Sequence, residues 1–201
     1  MPRKLTAEEI DAQKNFMYER TMDLLSKKEL STITLDDILD TVQMAKGSFY
    51  RYYSSKEEFL YEVIKKNEKI YFDKMIQAVS EIRFGKENAF RLMSNVLMDR
   101  NLLFRYIYPE DTENLIRKLP SEYQKHEEEK SQNNFASFCQ AINIIPTEEF
   151  FGALSYLLIA LQTVVTGNRQ LGESGQQRAA LIVMQAICDL FNEEMDKNIS
   201  L

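Results

Sequence analysis

Residues 43 to 56 read Gln-Met-Ala-Lys-Gly-Ser-Phe-Tyr-Arg-Tyr-Tyr-Ser-Ser-Lys, with three basic side chains, four aromatic side chains and no acid. The whole chain, by contrast, carries a net charge of −6. Directly upstream, residues 34 to 42 form a short amphipathic segment, Thr-Leu-Asp-Asp-Ile-Leu-Asp-Thr-Val. Two short helices that meet at residues 43 and 44 are typical of a helix-turn-helix, whose second helix lies in the major groove of DNA.

The same stretch resembles the TetR family of bacterial one-component regulators, whose motif runs from a Thr-capped helix through a turn to an aromatic pair and a lysine. The matching residues are Thr34, Asp37, Ile38, Lys46, Gly47, Ser48, Tyr50, Tyr53 and Lys56. No insertion interrupts the spacing from Thr34 to Leu60. Three positions depart from the family pattern, since Gln43 replaces a turn glycine, Ala45 replaces a capping serine, and Glu29 replaces a glycine after the first helix.

We predict that the DNA contacts come from the turn, the second helix and the residues beside them. The candidates are Thr34, Gln43, Ala45, Lys46, Gly47, Ser48, Tyr50, Arg51, Tyr52 and Lys56. Gly47 would let the backbone approach the DNA, while Lys46 and Ser48 can donate to phosphates or base edges. The family resemblance implies phosphate contacts for Tyr50 and Lys56.

We expect the remaining side chains of the second helix either to contact bases or to pack in the core. Arg51 or Tyr52 is a candidate to read bases, whereas Phe49 is expected to pack in the core and fix the helix. Residues 1 to 67 contain 11 Lys and Arg against 12 Asp and Glu. A DNA-binding face therefore requires local segregation of charge, which favours site-specific, salt-sensitive binding over indiscriminate coating.

Composition predicts an ordinary globular protein of the reducing cytoplasm. The chain has 201 residues, 44% of them hydrophobic, and only two cysteines, Cys139 and Cys188. The first five residues are not followed by an apolar stretch of the kind found in a signal peptide. The most hydrophobic run, Phe150 to Leu161, is 12 residues long, whereas a membrane-spanning helix needs about 20. We therefore predict no membrane association.

Only six glycines and four prolines interrupt the chain, and apolar residues recur with a helical period, so we predict an all-α fold. Residues 1–54 would form a helix-turn-helix domain, and residues 55–201 a helical ligand-binding and dimerisation domain. Capping boxes at Thr6 and Ser55, and an N-cap at Thr34, would start three of the helices. The helix starting after Ser55 would run to about Glu81, and the helix after it from Asn88 to Leu103.

Two late helices, starting near Thr147 and Gln176, are apolar over more than one face. A helix that is apolar on both sides packs inward on its own domain and outward on a partner. The candidate interface residues are Phe151, Leu154, Leu158, Leu161, Ile182, Ile187 and Phe191. The family resemblance implies that these helices form a four-helix homodimer interface.

The middle of the chain is rich in aromatic residues and methionine. Packing of a helical core explains most of them, but a ligand cavity has the same chemistry, and the family resemblance implies a cavity in this domain. The candidate contacts are Phe90, Arg91, Phe104, Arg105, Tyr108, Tyr123, Phe138 and Gln162. The sequence does not separate cavity residues from core residues.

No catalytic or metal-binding pattern is present in the sequence. His126 is the single histidine, neither cysteine has a partner at zinc-ligand spacing, and no nucleophile elbow or phosphate-binding glycine loop occurs. We therefore expect a non-enzymatic protein without a cofactor. The favoured function is a homodimeric repressor, released from a palindromic operator by a small apolar or aromatic molecule. Two alternatives stay open: DNA binding controlled without a ligand, architecturally or by a protein partner, and a helical adaptor or enzyme with a vestigial helix-turn-helix.

Overall fold

The computed structural model describes residues 6–81, 85, 88–167 and 172–199, apart from the side chains of residues 128, 198 and 199. These residues form α-helices and two 3₁₀ turns, and they contain no β-strand, which confirms the predicted all-α class. The helices are α1 Ala7–Leu25, α2 Leu35–Val42, α3 Lys46–Phe49, α4 Lys56–Glu81, α5 Ala89–Leu97, α6 Pro109–Arg117, α7 Ser121–Ala141, α8 Glu148–Thr166 and α9 Glu173–Ile199. The 3₁₀ turns are Leu30–Thr32 and Leu103–Arg105.

Reciprocal capping boxes start the first two helices, which confirms the box predicted at Thr6 and the cap predicted at Thr34. The Thr6 backbone N–H donates to Glu9 over 2.9 Å, and the Glu9 N–H donates to the Thr6 hydroxyl over 3.2 Å. The same exchange joins Thr34 and Asp37 at the start of α2, over 2.8 and 3.1 Å. Each cap satisfies N–H groups that the helix itself leaves unpaired, a contribution of about 1 kcal/mol.

The cap of α4 differs in one partner from the prediction. The Glu58 N–H donates to the Ser55 hydroxyl over 3.0 Å, which is the expected half of a capping box. The Glu58 carboxylate does not return to Ser55 and instead accepts from the backbone N–H of Ser54 over 2.7 Å and from its hydroxyl. A side chain one residue earlier therefore holds the carboxylate.

The helix predicted from Asn88 to Leu103 ends six residues early, at Leu97. Beyond it, the Asp99 carboxylate accepts from the backbone N–H of Asn101 over 2.8 Å, a local turn that competes with helix continuation. The Arg105 guanidinium donates to the carbonyl oxygen of Met98 over 2.6 Å. These two contacts hold the chain in a compact turn that leads into the second 3₁₀ turn.

Buried apolar side chains form two cores, and α4 contributes to both. The N-terminal core joins side chains of α1, α2, α3 and the first turns of α4 to four residues further along the chain: Leu103, Ile107, Leu115 and Leu119. The C-terminal core joins the later part of α4 to α5, α7, α8 and α9. On α4 the division falls between Ile64 and Tyr71. The two packing units therefore divide inside α4. The domain boundary that the sequence suggested lies earlier, at residue 54, and it remains a prediction.

The side chain of Asn67 lies where the two cores meet and is only 2% exposed. Its Nδ2 donates to the Tyr18 hydroxyl on α1 over 3.1 Å and to the carbonyl oxygen of Asn101 over 3.0 Å. Its Oδ1 accepts from the backbone N–H of Leu103 over 2.9 Å. One buried amide thus connects α1, α4 and the segment between α5 and α6, and its polar atoms are paired as burial requires.

The turn between α2 and α3 depends on a left-handed residue. Gln43 ends α2 with φ 51° and ψ 48°, a conformation that glycine adopts without a steric penalty. Its backbone N–H still donates to the carbonyls of Asp40 and Leu39. The helix-turn-helix geometry therefore forms with Gln43 in place of a glycine, at a cost in strain.

We predict that Gln43→Gly raises the free energy of unfolding by about 0.5 to 1 kcal/mol, because it removes the left-handed penalty of a side chain with a Cβ. Urea denaturation measures this change. Asn143, at φ 59°, is the control position. Since asparagine tolerates this conformation better, Asn143→Gly should stabilise less. A lower stability of Gln43→Gly than of the wild type would contradict the assignment.

Candidate nucleic-acid interface

An aromatic cluster fixes α3 on the rest of the N-terminal core. Phe49 is 0% exposed, which confirms its predicted packing role. Its ring lies 5.6 Å from the ring of Phe59 and 5.7 Å from that of Tyr53, and the rings of Tyr53 and Phe59 are 4.9 Å apart. The edge-to-face geometry of Phe49 with Phe59, and of Tyr53 with Phe59, is favourable for aromatic pairs. These contacts hold the outer face of α3 in one orientation.

The second helix, α3, is short and ends at Phe49. Tight turn hydrogen bonds continue it, with the N–H of Tyr52 donating to the carbonyl of Phe49 over 2.9 Å. Ala45 occupies the N-cap and supplies no side-chain hydrogen bond. The first N–H groups of the helix are therefore not capped by Ala45, and such groups can donate to an anion such as a phosphate.

Three polar or charged side chains project from this segment into solvent. Lys46, Tyr50 and Arg51 are all exposed, and Tyr50 retains 48% of its accessible surface. Across the residues that the structure describes, neither Lys46 nor Arg51 forms a salt bridge. Their charges are therefore available to an external anion, and phosphate groups are the natural partners of such lysine and arginine side chains.

Gly47 lies in the first turn of α3 and is exposed. A Cβ atom added at this position would meet nothing within 4 Å. Neither packing nor backbone strain in the free protein therefore requires glycine here. The lack of a side chain matters only for something that approaches this surface from outside.

Three of the predicted contact residues have structural partners of their own. The Lys56 ammonium is half-buried and donates to the carbonyl oxygen of Ile33 over 2.6 Å, which ties the start of α4 to the entry of α2. The Thr34 hydroxyl belongs to the cap of α2. Tyr52 is half-buried against the N-terminal core. These residues position the segment, and any DNA contact by Lys56 would compete with its bond to Ile33.

A salt bridge that the sequence analysis missed sets α1 against α2. The Lys28 ammonium lies 2.5 Å from the Asp37 carboxylate, which also caps α2. Hydrogen bonds from Lys28 and then from Thr34 hold the pKa of Asp37 far below its usual range. A lowered carboxylate pKa contributes stability at neutral pH that is lost as the pH falls through that value. The nine-residue separation of Lys28 and Asp37 gave no local signal.

The residues predicted to bind a ligand do not gather in one cavity. Phe138 is buried in the C-terminal core, and Phe90 and Phe104 pack partly buried against it. Arg91 is exposed to solvent. The Gln162 amide donates to the carbonyl oxygen of Ile107 over 2.9 Å. Packing and a backbone hydrogen bond engage four of these five residues and Arg91 faces solvent, and their part in a ligand site stays a prediction.

The other three candidates line two separate open grooves. Arg105 and Tyr108 line a groove of about 1020 Å³ between the end of α1 and the junction of α8 with α9. Tyr123 lines a groove of about 680 Å³ between α1, α4 and α7. We call the second one the lysine groove after Lys14, Lys65, Lys66, Lys69 and Lys130, which line it. Both grooves lie where the helix-turn-helix meets the remainder of the chain.

The predicted dimer residues divide between the protomer core and its surface. Leu161, Ile187 and Phe191 are at most 1% exposed in the single chain. The prediction is corrected for these three, because a side chain enclosed by its own core has no surface left for a partner. Three others, Phe151, Leu154 and Leu158, are half-buried on α8, and Ile182 on α9 is 62% exposed.

Helix α8 is strongly apolar, yet few of its residues are fully buried by its own protomer. Only Phe150 and Leu161 of its 19 residues are buried. By length and composition α8 could cross a membrane, but one such helix is weak evidence, because helices packed in soluble proteins meet the same criterion. Exposed Tyr156 and Ile159 on α8 and Leu181 on α9 escaped the sequence analysis, because a helix that is apolar all round does not reveal which face points outward.

Metal chemistry has no visible basis in the part of the chain that the structure describes. Those residues contain no group of three or more His, Cys, Asp or Glu side chains placed to hold a metal ion. Cys139 and Cys188 are both buried, and burial raises the pKa of each thiol to about 11. Both thiols are therefore protonated and unreactive at neutral pH.

The fold and this surface define a helical DNA-binding protein with an N-terminal helix-turn-helix. Residues 18–63 match the sequence model described as "Bacterial regulatory proteins, tetR family". Among curated protein sequences, none matches the chain.

Two solved structures resemble nearly the whole chain. A TetR transcriptional regulator from Rhodococcus sp. RHA1 aligns with a TM-score of 0.54 and 19% identity, over 90% of this chain and 95% of that one. A putative TetR-family transcriptional regulator from Mesorhizobium loti MAFF303099 aligns with a TM-score of 0.57 and 18% identity, over 92% and 98%. At these identities the likeness concerns the fold. Residues 18–63 therefore match the TetR-family sequence pattern, and the chain as a whole has the fold of these two regulators.

We predict that Gly47→Ala has opposite effects on stability and on DNA binding. Alanine should raise the free energy of unfolding by about 0.5 to 1 kcal/mol, because glycine is disfavoured inside a helix. The same methyl group should weaken operator binding, since it occupies the surface that the DNA backbone approaches. Urea denaturation and a DNA-binding titration measure the two effects.

Gly175→Ala is the matched control, because Gly175 is also helical, exposed and free of neighbours within 4 Å of an added Cβ. It should change stability in the same direction and leave DNA affinity unchanged. Equal DNA affinity of Gly47→Ala and the wild type would remove Gly47 from the interface.

Proposed function

We propose that this chain is a homodimeric repressor that places α3 of each protomer in the major groove of a palindromic operator. The observation that carries the proposal is the exposed, acid-free segment that contains α3. Lys46 and Arg51 have no salt-bridge partner in the described residues, and Gly47 presents bare backbone beside them. Phosphate contacts by these cations would set the position of the helix, and base contacts from the same turn would set its specificity.

The outer faces of α8 and α9 support a dimer. Tyr156, Ile159 and Ile182 keep between 50% and 78% of their accessible surface in the single chain, and Leu181 lies beside them on α9. Burying each large apolar side chain in an interface contributes roughly 1.5 to 3 kcal/mol. A twofold arrangement of α8 and α9 would cover all four residues at once and close the assembly.

Control by a small molecule fits the way the two cores are joined. Helix α4 belongs to both cores, and the buried amide of Asn67 links α1 to the chain between α5 and α6. A ligand that prefers one arrangement of these elements would change the spacing of the two α3 helices, and a ligand without such a preference would change nothing. We propose release from the operator as the result, in the cytoplasm where the DNA lies.

Selection of bound sequences from random double-stranded DNA tests the proposed function. The expected product is a sequence with twofold symmetry, whose half-sites are separated by about one helical turn, roughly 34 to 36 Å between centres. An enriched sequence without symmetry would argue against a dimer on DNA. Failure to enrich any sequence at low salt would argue against site-specific DNA binding altogether.

We predict that the pair Ile159→Glu and Ile182→Glu separates the dimer into monomers. Both side chains are at least half exposed, so the protomer core should tolerate the charges that an interface cannot. Operator affinity should fall by about 100-fold or more, because the two half-sites would no longer be bound as one unit. Sedimentation analysis measures the mass against 23.6 kDa for one chain.

Gln132→Glu on the exposed surface of α7 is the control, since it adds a glutamate charge outside α8 and α9. It should leave both the mass and the operator affinity unchanged. A monomeric wild type at micromolar concentration, or a doubly substituted protein that stays dimeric, would contradict the proposed interface.

A further inference from the structure

The lysine groove is lined by α1 of the helix-turn-helix region and by α7 of the C-terminal region. Helix α1 supplies one wall with Lys14, Asn15 and Tyr18, and α7 supplies the opposite one with His126 and Lys130. Residues of α4 run between these walls. With a volume of about 680 Å³, the groove is within the usual range of small-molecule sites.

The charge of the groove is opposite to that of the chain. Five lysines line it against two acids, Asp11 and Glu62, whereas the whole chain carries a net charge of −6. Glu62 is engaged by Lys14 over 3.2 Å. Lysines in such a groove that have no acidic partner can attract an anion.

Internal ion pairs neutralise some of these lysines. Lys65 contacts Glu68 over 2.7 Å and also Glu127, and Lys69 lies 2.7 Å from Asp73. Although burial disfavours the charged form of Lys65, its contacts with Glu68 and Glu127 raise its pKa, so the side chain stays charged. These pairs hold the floor of the groove in place and leave other cations for a ligand.

Lys66 and Lys130 are the cations that remain. The Lys66 ammonium donates to the amide oxygen of Asn15 and lies 4.5 Å from the ring centre of Tyr18. Within the described residues no carboxylate lies at ion-pairing distance from Lys66 or Lys130. They extend from α4 and α7, so an anion between them would be held from two helices.

The residue types in the groove indicate which anion fits. Lysine acts as a compact point charge suited to phosphate, whereas planar carboxylates are most often held by the two-pronged guanidinium of arginine. Arginine is not among the residues that line the groove. The phenol of Tyr18 accepts a hydrogen bond from Asn67, which leaves its O–H free to donate to an anion oxygen.

We propose that the lysine groove binds a small phosphate ester, whose charged groups lie between Lys66 on α4 and Lys130 on α7. The volume of the groove exceeds what a lone phosphate ion fills, so the organic part of the ester occupies the remainder beside Tyr18 and Tyr123. Such a ligand contacts α1 and α7 together. Its effect on operator affinity rests on the proposed function, whereas its binding does not.

Calorimetric titration of the full-length protein without DNA tests the binding. The probes are adenosine 5′-diphosphate, inorganic pyrophosphate and adenosine, which separate the phosphate charge from the organic part. Both phosphate compounds should bind, with the diphosphate ester the tighter of the two, and adenosine should not. Absence of saturable binding by adenosine 5′-diphosphate would overturn the proposal, and so would equal binding of adenosine.

Substitution of the two lysines by methionine locates the site. Lys66→Met together with Lys130→Met keeps the apolar stems and should weaken binding of the diphosphate by at least about tenfold, equivalent to about 1.4 kcal/mol. The control, Lys125→Met, changes an exposed lysine of α7 that does not line the groove, and it should leave affinity within about twofold. Thermal unfolding checks that each variant remains folded. Unchanged affinity of the double variant would overturn the proposal.

DNA titrations separate this inference from the proposed function. In the absence of phosphate compounds, the double variant should bind the operator as the wild type does, with the same salt dependence. A lower affinity and a shallower salt slope would assign Lys66 and Lys130 to the DNA backbone and overturn the proposal. If the protein binds the diphosphate at these lysines but selects no DNA sequence, the proposed ligand site is retained and the proposed operator binding is refuted.

Discussion

The buried amide of Asn67 is the constraint on which the arrangement of the two cores depends. It satisfies the Leu103 N–H and the Asn101 carbonyl inside the protein while it holds the Tyr18 hydroxyl of α1. An apolar side chain at this position would leave these backbone groups unpaired, at about 1 to 3 kcal/mol each. Because α4 also supplies apolar side chains to both cores, a shift of the C-terminal helices would be transmitted to the helix-turn-helix through packed groups.

Cations without an acidic partner lie on two candidate functional surfaces of this acidic protein. The chain is acidic overall, yet its acid-free segment leaves Lys46 and Arg51 unpaired within the described residues, and the lysine groove leaves Lys66 and Lys130 in the same condition. The remaining lysines described above are held by internal carboxylates such as Asp37 and Glu127 or, like Lys56, by a backbone carbonyl. The acid-free segment and the lysine groove each bring such cations together, which favours anion binding at specific sites over general coating.

The sequence predicted the features that depend on interactions between residues close together along the chain. The caps at Thr6 and Thr34 and the burial of Phe49 follow from residues a few positions apart, and the structure contains all of them. The features that were missed join distant parts of the chain. The spacing of residues along the sequence does not predict the hydrogen bonds of Asn67, which join residues 34 to 49 positions apart. It also does not predict that Ile159 faces outward. Apolar periodicity identifies that a helix packs, but the tertiary fold decides which face packs inward.

Salt dependence of operator binding tests the central claim most directly, namely that Lys46 and Arg51 contact DNA phosphates. The measurement compares the logarithm of the association constant against the logarithm of salt concentration for the wild type and for the pair Lys46→Ala and Arg51→Ala. Each lost phosphate contact should make the slope less negative by about 0.9, so the double variant should differ by nearly 2. An unchanged slope, with the variant folded and dimeric, would contradict the account.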